Sequence, residues 1–378
     1  MKNYDNLMQN HRFYLHQYPE LGLELPITKA YVLQQLQSLG FFCQEVATSG
    51  IIAYKSFNPQ LKSILFRADM DALMQDEQTG LAFTSKHTGK MHACGHDGHM
   101  SLLLGFAAYI SNLESLKKNI ILVFQPGEEE PGGAEIIMET QILQSLNIEY
   151  CIGSHIFPGI EEGLVGMKSG PQMAKCIELD LSVRGKSAHG AMPHLGTDAL
   201  LAFSHFHTGA QSIISRRLSP DSSSVISIGT VTGGSARNII MENLTAKGTI
   251  RTFSDSEGDF IKNELQRLAS GIALSYNVSM DLNLTDLYPA VYNDPQLYEE
   301  IKSKLPPEWI TQTEALMTAE DFSYYQALAP SMFFLLGSHN TNRGCIHPLH
   351  SNQFNFSQEV LSKGLALYAE LLNILEAR

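Results

Sequence analysis

Four short apolar runs, each leading into acidic or imidazole side chains, constrain this chain more than any other feature. Ser63-Ile-Leu-Phe-Arg-Ala leads into Asp69-Met70-Asp71. Ile120-Ile-Leu-Val-Phe124 leads into Gln-Pro-Gly and then Glu128-Glu129-Glu130. Tyr150-Cys-Ile-Gly-Ser leads into His155. Met332-Phe-Phe-Leu-Leu-Gly-Ser leads into His339, with His347 and His350 shortly after. Continuous apolar runs separated by helical segments mark buried parallel strands. Open α/β sheets bind ligands beyond the carboxyl ends of their strands. The chain therefore reads as an α/β fold with a mixed sheet flanked by helices, gathering metal-binding and acidic groups at its strand ends.

At 378 residues the chain exceeds one ordinary core. Its first forty residues read as two helices broken at Pro19 and Pro26, the second over 28–39. Between 177 and 287 the pattern changes. Strands are expected at 177–184, 223–232, 243–253 and 278–287, with helices at 198–217 and 257–276. That β-α-β-β-α-β order is ferredoxin-like. The apolar strands on either side belong to one sheet. A discontinuous catalytic domain over 1–176 and 289–378, with an inserted smaller domain over 177–288, is the expected organisation.

Several function classes lose support. Lys and Arg total 26 against 39 Asp and Glu, for a net charge of −13. So acidic a chain repels polyphosphate, and nucleic-acid binding is not expected. No apolar stretch nears the roughly 18 residues of a membrane helix, and the polar start has no signal core. A cytoplasmic protein without membrane association is expected. Five scattered cysteines, an odd number, do not form a disulfide framework. Nucleophile-elbow, phosphate-loop and dinucleotide fingerprints are all missing from the sequence.

His92-Ala-Cys-Gly-His-Asp-Gly-His99 is the sharpest local signal. Thiolate and imidazole suit zinc, cobalt, nickel or manganese, and the paired C-x-x-C spacing of a closed structural zinc site is missing. Cys94 and His96 are two apart, so a turn or extended backbone aims both to one side, with Asp97 placed to orient a ligand. The acidic turn after the second run crowds three carboxylates together, which a cation relieves. One carboxylate on metal and its neighbour free is an arrangement for activating water, the free one acting as general base. Read alone, such a run is also a solvated loop. Asp69 and Asp71, as i, i+2 strand residues, face one side; each is a ligand, a histidine orienter or a cap. His155, His347 and His350 gain weight only by joining the other strand ends.

These segments together resemble the M20 family of metallohydrolases. The resemblance rests on MHACGHDGHM, FQPGEEEPGGAE, Arg67-Ala-Asp-Met-Asp-Ala, HQYPELGLE, GKSAHGAMPH and GGSARNIIMENLTAKGTIRTFS. It is to the amidohydrolase branch, which includes hippurate hydrolases, auxin-conjugate hydrolases and N-acetyldiaminopimelate deacetylases. The PGGAE, SIISR, GTVTGGSARNII and ALMTAEDF stretches look most like the last group. The resemblance implies a dinuclear-metal catalytic domain with an inserted ferredoxin-like lid through which the chain forms a homodimer. It implies metal ligands Cys94, His96, Glu129, His155 and His350, with Glu128 as general base and Asp71 as the acid behind the site. Other branches place a histidine ligand where this chain has Asp69. His189 matches a lid histidine that stabilises the oxyanion in the partner's site, and Asn238 and Arg251 match positions near the substrate. The implied substrate is a small N-acyl amino acid, N-acetyl-L,L-diaminopimelate foremost. Broader hippurate-type amidohydrolase, dipeptidase and catalytically silent binding protein remain the alternatives.

Overall fold

The computed structural model describes residues 2–378, which divide into two compact units. The larger runs to Gln172 and takes in Val291–Ala315 and Asp321–Arg378. The smaller holds Met173–Ala290 and Leu316–Glu320.

An eight-stranded sheet organises the larger unit. Its spatial order is Phe42–Val46, Gly50–Tyr54, Asn119–Gln125, Ser63–Asp69, Ile148–Glu161, Ser331–His339, Val165–Met167, Ile310–Gln312. The four runs singled out from sequence lie side by side in the middle and pair in parallel. Antiparallel partners flank them, so the sheet is mixed. Ser63–Asp69 and Asn119–Gln125 are buried at every position, as befits strands covered on both faces. The helix His96–Ser111 is apolar almost all round because it is sandwiched between this sheet and other helices. Phe66 of the sheet packs against Phe106 of that helix and Tyr368 of Gln358–Ile374, with ring centroids 4.6 and 4.9 Å apart.

Two local expectations are corrected. Asp71 lies past the last strand residue, Asp69, so the two do not share a strand face. His155 lies within a strand that continues to Glu161, because the apolar character of Ile156 and Phe157 carries the pairing onward.

The smaller unit runs Lys175–Arg184, Ala199–Arg217, Ser224–Gly233, Asn243–Thr252, Asp255–Tyr276, Ser279–Asp286, a β-α-β-β-α-β order. Its antiparallel sheet alternates burial, and Ile177, Leu179, Leu181 and Val183 face a core shared with the two helices. Side chains start both helices. Asp198 accepts from the N–H of Leu200 and Leu201, and Ser254 accepts from that of Glu257. Among the described residues no helix is long and apolar enough to cross a membrane.

Candidate metal centre

Cys94 and His96 are placed by a single turn. Gly95 between them takes φ +89, a left-handed conformation that favours glycine, and His96 opens the buried helix. His96 Nδ1 donates to the backbone oxygen of Asp71 at 2.8 Å. Its Nε2 is buried without a hydrogen-bond partner. His155 Nδ1 is satisfied in the same way by Ile156 O at 2.7 Å, which turns Nε2 toward Cys94 Sγ, 3.4 Å away. A backbone acceptor on one ring nitrogen sets the tautomer and frees the other as a ligand.

The acidic turn supplies the next donor. Glu128 is buried, Glu129 half-buried and Glu130 exposed, so the three carboxylates have three different environments. Asp71 fixes the first two. Its carboxylate accepts from the N–H of Glu128 at 3.0 Å and from that of Glu129 at 3.1 Å. Glu129 Oε1 stands 3.1 Å from His350 Nε2. His350 takes φ +62, uncommon for a non-glycine residue, and its N–H donates to Ala93 O at 2.9 Å beside Cys94.

Besides His96–Glu128–Glu129 and Asp69–His96–His99, two sets of donor atoms result, Cys94–His96–His155 and Cys94–Glu129–His350, each with its atoms within 4.8 Å of one another. Cys94 belongs to both. The first set is buried throughout, whereas the His350 side chain in the second is 54% exposed. Electrostatics favour cations here. Burial pushes the Cys94 thiol well up, and Glu129, Glu128 and Asp69 push it further. Burial would lower His96, but Asp69, Asp71 and Glu129 outweigh it and hold the imidazole at about 10. The proton retained on His96 reflects the carboxylates around that imidazole, a surplus of negative charge there, whereas burial and the neighbouring His99 and His96 lower His155. Soft and imidazole donors, an open buried Nε2 and that surplus fit two divalent ions.

Neighbouring candidates are taken up elsewhere. Asp69 Oδ1 pairs with His99 Nδ1 at 2.5 Å and Oδ2 with Arg67 Nη1 at 2.7 Å. His99 Nε2 accepts from Ile156 N–H at 2.9 Å. Asp69 and His99 thus partner each other, Arg67 and the backbone, and with His96 they form a further group of donor atoms within 4.8 Å. Asp97 does not orient His96. It accepts from Arg12 Nε at 3.2 Å and His16 Nδ1 at 2.9 Å, tying the Lys2–Gln17 helix to the start of the ligand helix. His339 and His347 join no donor set among the described residues.

The remaining candidates lie in the smaller unit. His189 is exposed, and its Nδ1 accepts from Ala191 N–H at 3.0 Å, leaving the proton of a neutral ring on Nε2. The Asn238 backbone oxygen accepts from Gly190 N–H at 2.7 Å, so the His189 and Asn238 loops run together. Arg251 Nη1 lies 2.7 Å from Cys176 Sγ and bonds Ile250 O at 3.3 Å. Arg67 and Asp321 received no role from sequence. The available signal was an arginine in an otherwise apolar strand, since a buried guanidinium requires acidic partners.

An open α/β sheet presenting two donor sets that share Cys94, beside a carboxylate, fits a metal-dependent hydrolase. Residues 65–374 match the family described as Peptidase family M20/M25/M40, and the chain belongs to that family. It is 36% identical over 346 residues to the N-acetyldiaminopimelate deacetylase of Bacillus subtilis, covering 90% of this chain and 91% of the relative. It is 39% identical over 329 residues to the deacetylase of the same name from Listeria monocytogenes, covering 85% and 88%. Among solved structures, a putative aminohydrolase from methicillin-resistant Staphylococcus aureus superposes with TM-score 0.91 at 32% identity, covering 99% and 97%. A dinuclear metal-binding peptidase of the M20 family from Bacillus subtilis superposes with TM-score 0.85 at 28% identity, covering 99% of both chains.

Proposed function

We propose that the protein hydrolyses the amide of an N-acyl amino acid, foremost N-acetyl-L,L-diaminopimelate, to acetate and L,L-diaminopimelate in lysine biosynthesis. The observation that carries the reading is the pair Glu128 and Glu129. One carboxylate of the turn enters a donor set with Cys94 and His350; its neighbour, pinned by the same Asp71, is outside that set but within 4.8 Å of donor atoms of His96 and Glu129. The deacetylase names of the relatives support the substrate.

Cys94, His96 and His155 would hold one divalent ion, and Cys94, Glu129 and His350 the other, with zinc, manganese, cobalt and nickel all suited to the donors. When bound, the ions supply Lewis acidity for the amide carbonyl and bring the pKa of water toward about 7. Glu128 takes a proton from the attacking water and delivers it to the leaving amine. His189, donating through Nε2, stabilises the oxygen of the tetrahedral intermediate from a second copy of the chain. That role makes the working form a homodimer paired through the smaller unit. Asn238 and Arg251 bind the remainder of the substrate. Acetate release from N-acetyl-L,L-diaminopimelate, set against hippurate, other N-acetyl amino acids and dipeptides, tests the reading. A preference for hippurate or dipeptides would overturn the substrate and keep the chemistry.

A further inference from the structure

The turn that carries Glu128 and Glu129 leaves the Asn119–Gln125 strand and enters the Gly133–Glu139 helix. Its two stems touch. A Cβ on Gly133 would lie 1.8 Å from Pro126 O, and the N–H groups of Gly132 and Gly133 both donate to Gly127 O at 2.9 Å. One carboxylate from a distant part of the chain grips both stems. Asp321 Oδ1 accepts from Gln125 Nε2 at 2.8 Å. Its Oδ2 accepts from the same nitrogen at 2.7 Å and from Ala134 N–H at 3.0 Å.

Arg67 completes the grip. Its Nη2 donates to Asp321 Oδ1 at 2.7 Å and its Nε to Gln125 Oε1 at 2.9 Å. Tyr325 OH also donates to Gln125 Oε1, at 3.0 Å. The Gln125 amide is held at both its oxygen and its nitrogen, and Arg67, Gln125 and Asp321 are all buried. A carboxylate oxygen of Asp321 lies within 4.8 Å of one of Glu128.

We infer that Asp321 is a positioning residue for the acidic turn. It acts through Gln125 and Ala134, setting where Glu129 meets Cys94 and His350 and where Glu128 stands. A buried ion cluster is a weak source of stability beside well-packed apolar residues of the same volume. What it supplies is direction. Asp71 fixes the tip of the turn through two N–H groups, Asp321 fixes its base, and the four residues between Gln125 and Glu130 have little freedom left. Loss of such outer partners typically weakens metal affinity or activity by about 10- to 100-fold.

This inference rests on the two donor sets described above and predicts that they respond differently. The set containing Glu129 depends on the turn, and the set of Cys94, His96 and His155 does not. Cobalt binding to metal-free protein is measured for Asp321→Asn in two backgrounds. His155→Ala leaves the Glu129 set as the principal site, and His350→Ala leaves the other. Asp321→Asn should weaken cobalt binding at least about tenfold in the first background and by less than about threefold in the second. In the otherwise unaltered chain it should lower kcat by about tenfold or more with KM within about threefold, at an unchanged cobalt stoichiometry under saturation. Equal weakening in both backgrounds, or none in either, overturns the inference. Should Asp321→Asn fail to fold, Gln125→Met removes the contact to the first stem while Ala134 stays held, and it should weaken cobalt binding more in the His155→Ala background than in the His350→Ala one. The unsubstituted protein is the control. If it binds fewer than two cobalt ions, the donor-set reading fails and takes this inference with it. If it binds two and the variants match its cobalt affinity in both backgrounds, only the inference fails.

Discussion

Cys94 Sγ lies 3.4 Å from His155 Nε2, and the same sulfur is the one donor common to both sets. The two proposed cation sites are therefore not independent. Replacing Cys94 by Ala should remove high-affinity binding of both ions, whereas His155→Ala and His350→Ala should each remove one. Elemental analysis of cobalt-reconstituted, desalted variants checks this. One ion retained by Cys94→Ala and none by His350→Ala would contradict the shared-thiolate arrangement.

Glu128 and Glu129 are adjacent and are predicted to fail differently. Glu128→Gln keeps the volume and the backbone contact to Asp71 while losing the proton acceptor. It should lower kcat by about 10²- to 10⁴-fold, the usual worth of a general base, with metal content intact. Glu129→Gln should lose an ion. Elemental analysis beside steady-state rates separates the two.

Arg67 is 2% exposed and pairs with both Asp69 and Asp321 at 2.7 Å. Arg67→Met keeps the length of the side chain and leaves two buried carboxylates without their cation. The expected loss is about 3–5 kcal/mol, read as a lower urea midpoint. A midpoint equal to that of the parent would show that the pair is solvated and unimportant.

The pH dependence of stability has a specific source in His16. Burial lowers this imidazole, but Asp97 and Glu77, at 2.9 and 3.1 Å, more than compensate and raise it to about 9. A group raised on folding contributes stability that is complete below its unfolded pKa, about 6.5, and is lost as pH rises through about 9. The melting midpoint of the parent should therefore fall between these limits more steeply than that of His16→Gln. The difference amounts to a few kcal/mol, at about 1.4 kcal/mol per pKa unit. Parallel profiles would remove His16 from the account.

The central strands were legible because burial on both faces removes alternation, leaving runs such as Ile120–Phe124 that admit few other readings. Cys94, His96 and the acidic turn were legible because density of donor types survives any uncertainty in strand ends. His155 was legible as a residue but misplaced, since an apolar run does not announce where its ladder stops. The roles of Arg67 and Asp321 were not legible, and the N–H groups that Asp71 accepts from were not legible either. Asp71 acts by accepting from backbone N–H groups 57 and 58 residues away, and Arg67 meets Asp321 across 254 residues. Such partners follow from the sheet order and have no local spacing to reveal them.

The proposed activity is metal-dependent deacylation of N-acetyl-L,L-diaminopimelate. Its most direct test is the release of acetate and free amine by cobalt-loaded and chelator-stripped protein. Stoichiometric release by the loaded form, abolished by stripping and restored by cobalt, is the predicted result. No release by the loaded form from this or any other N-acyl amino acid would contradict it.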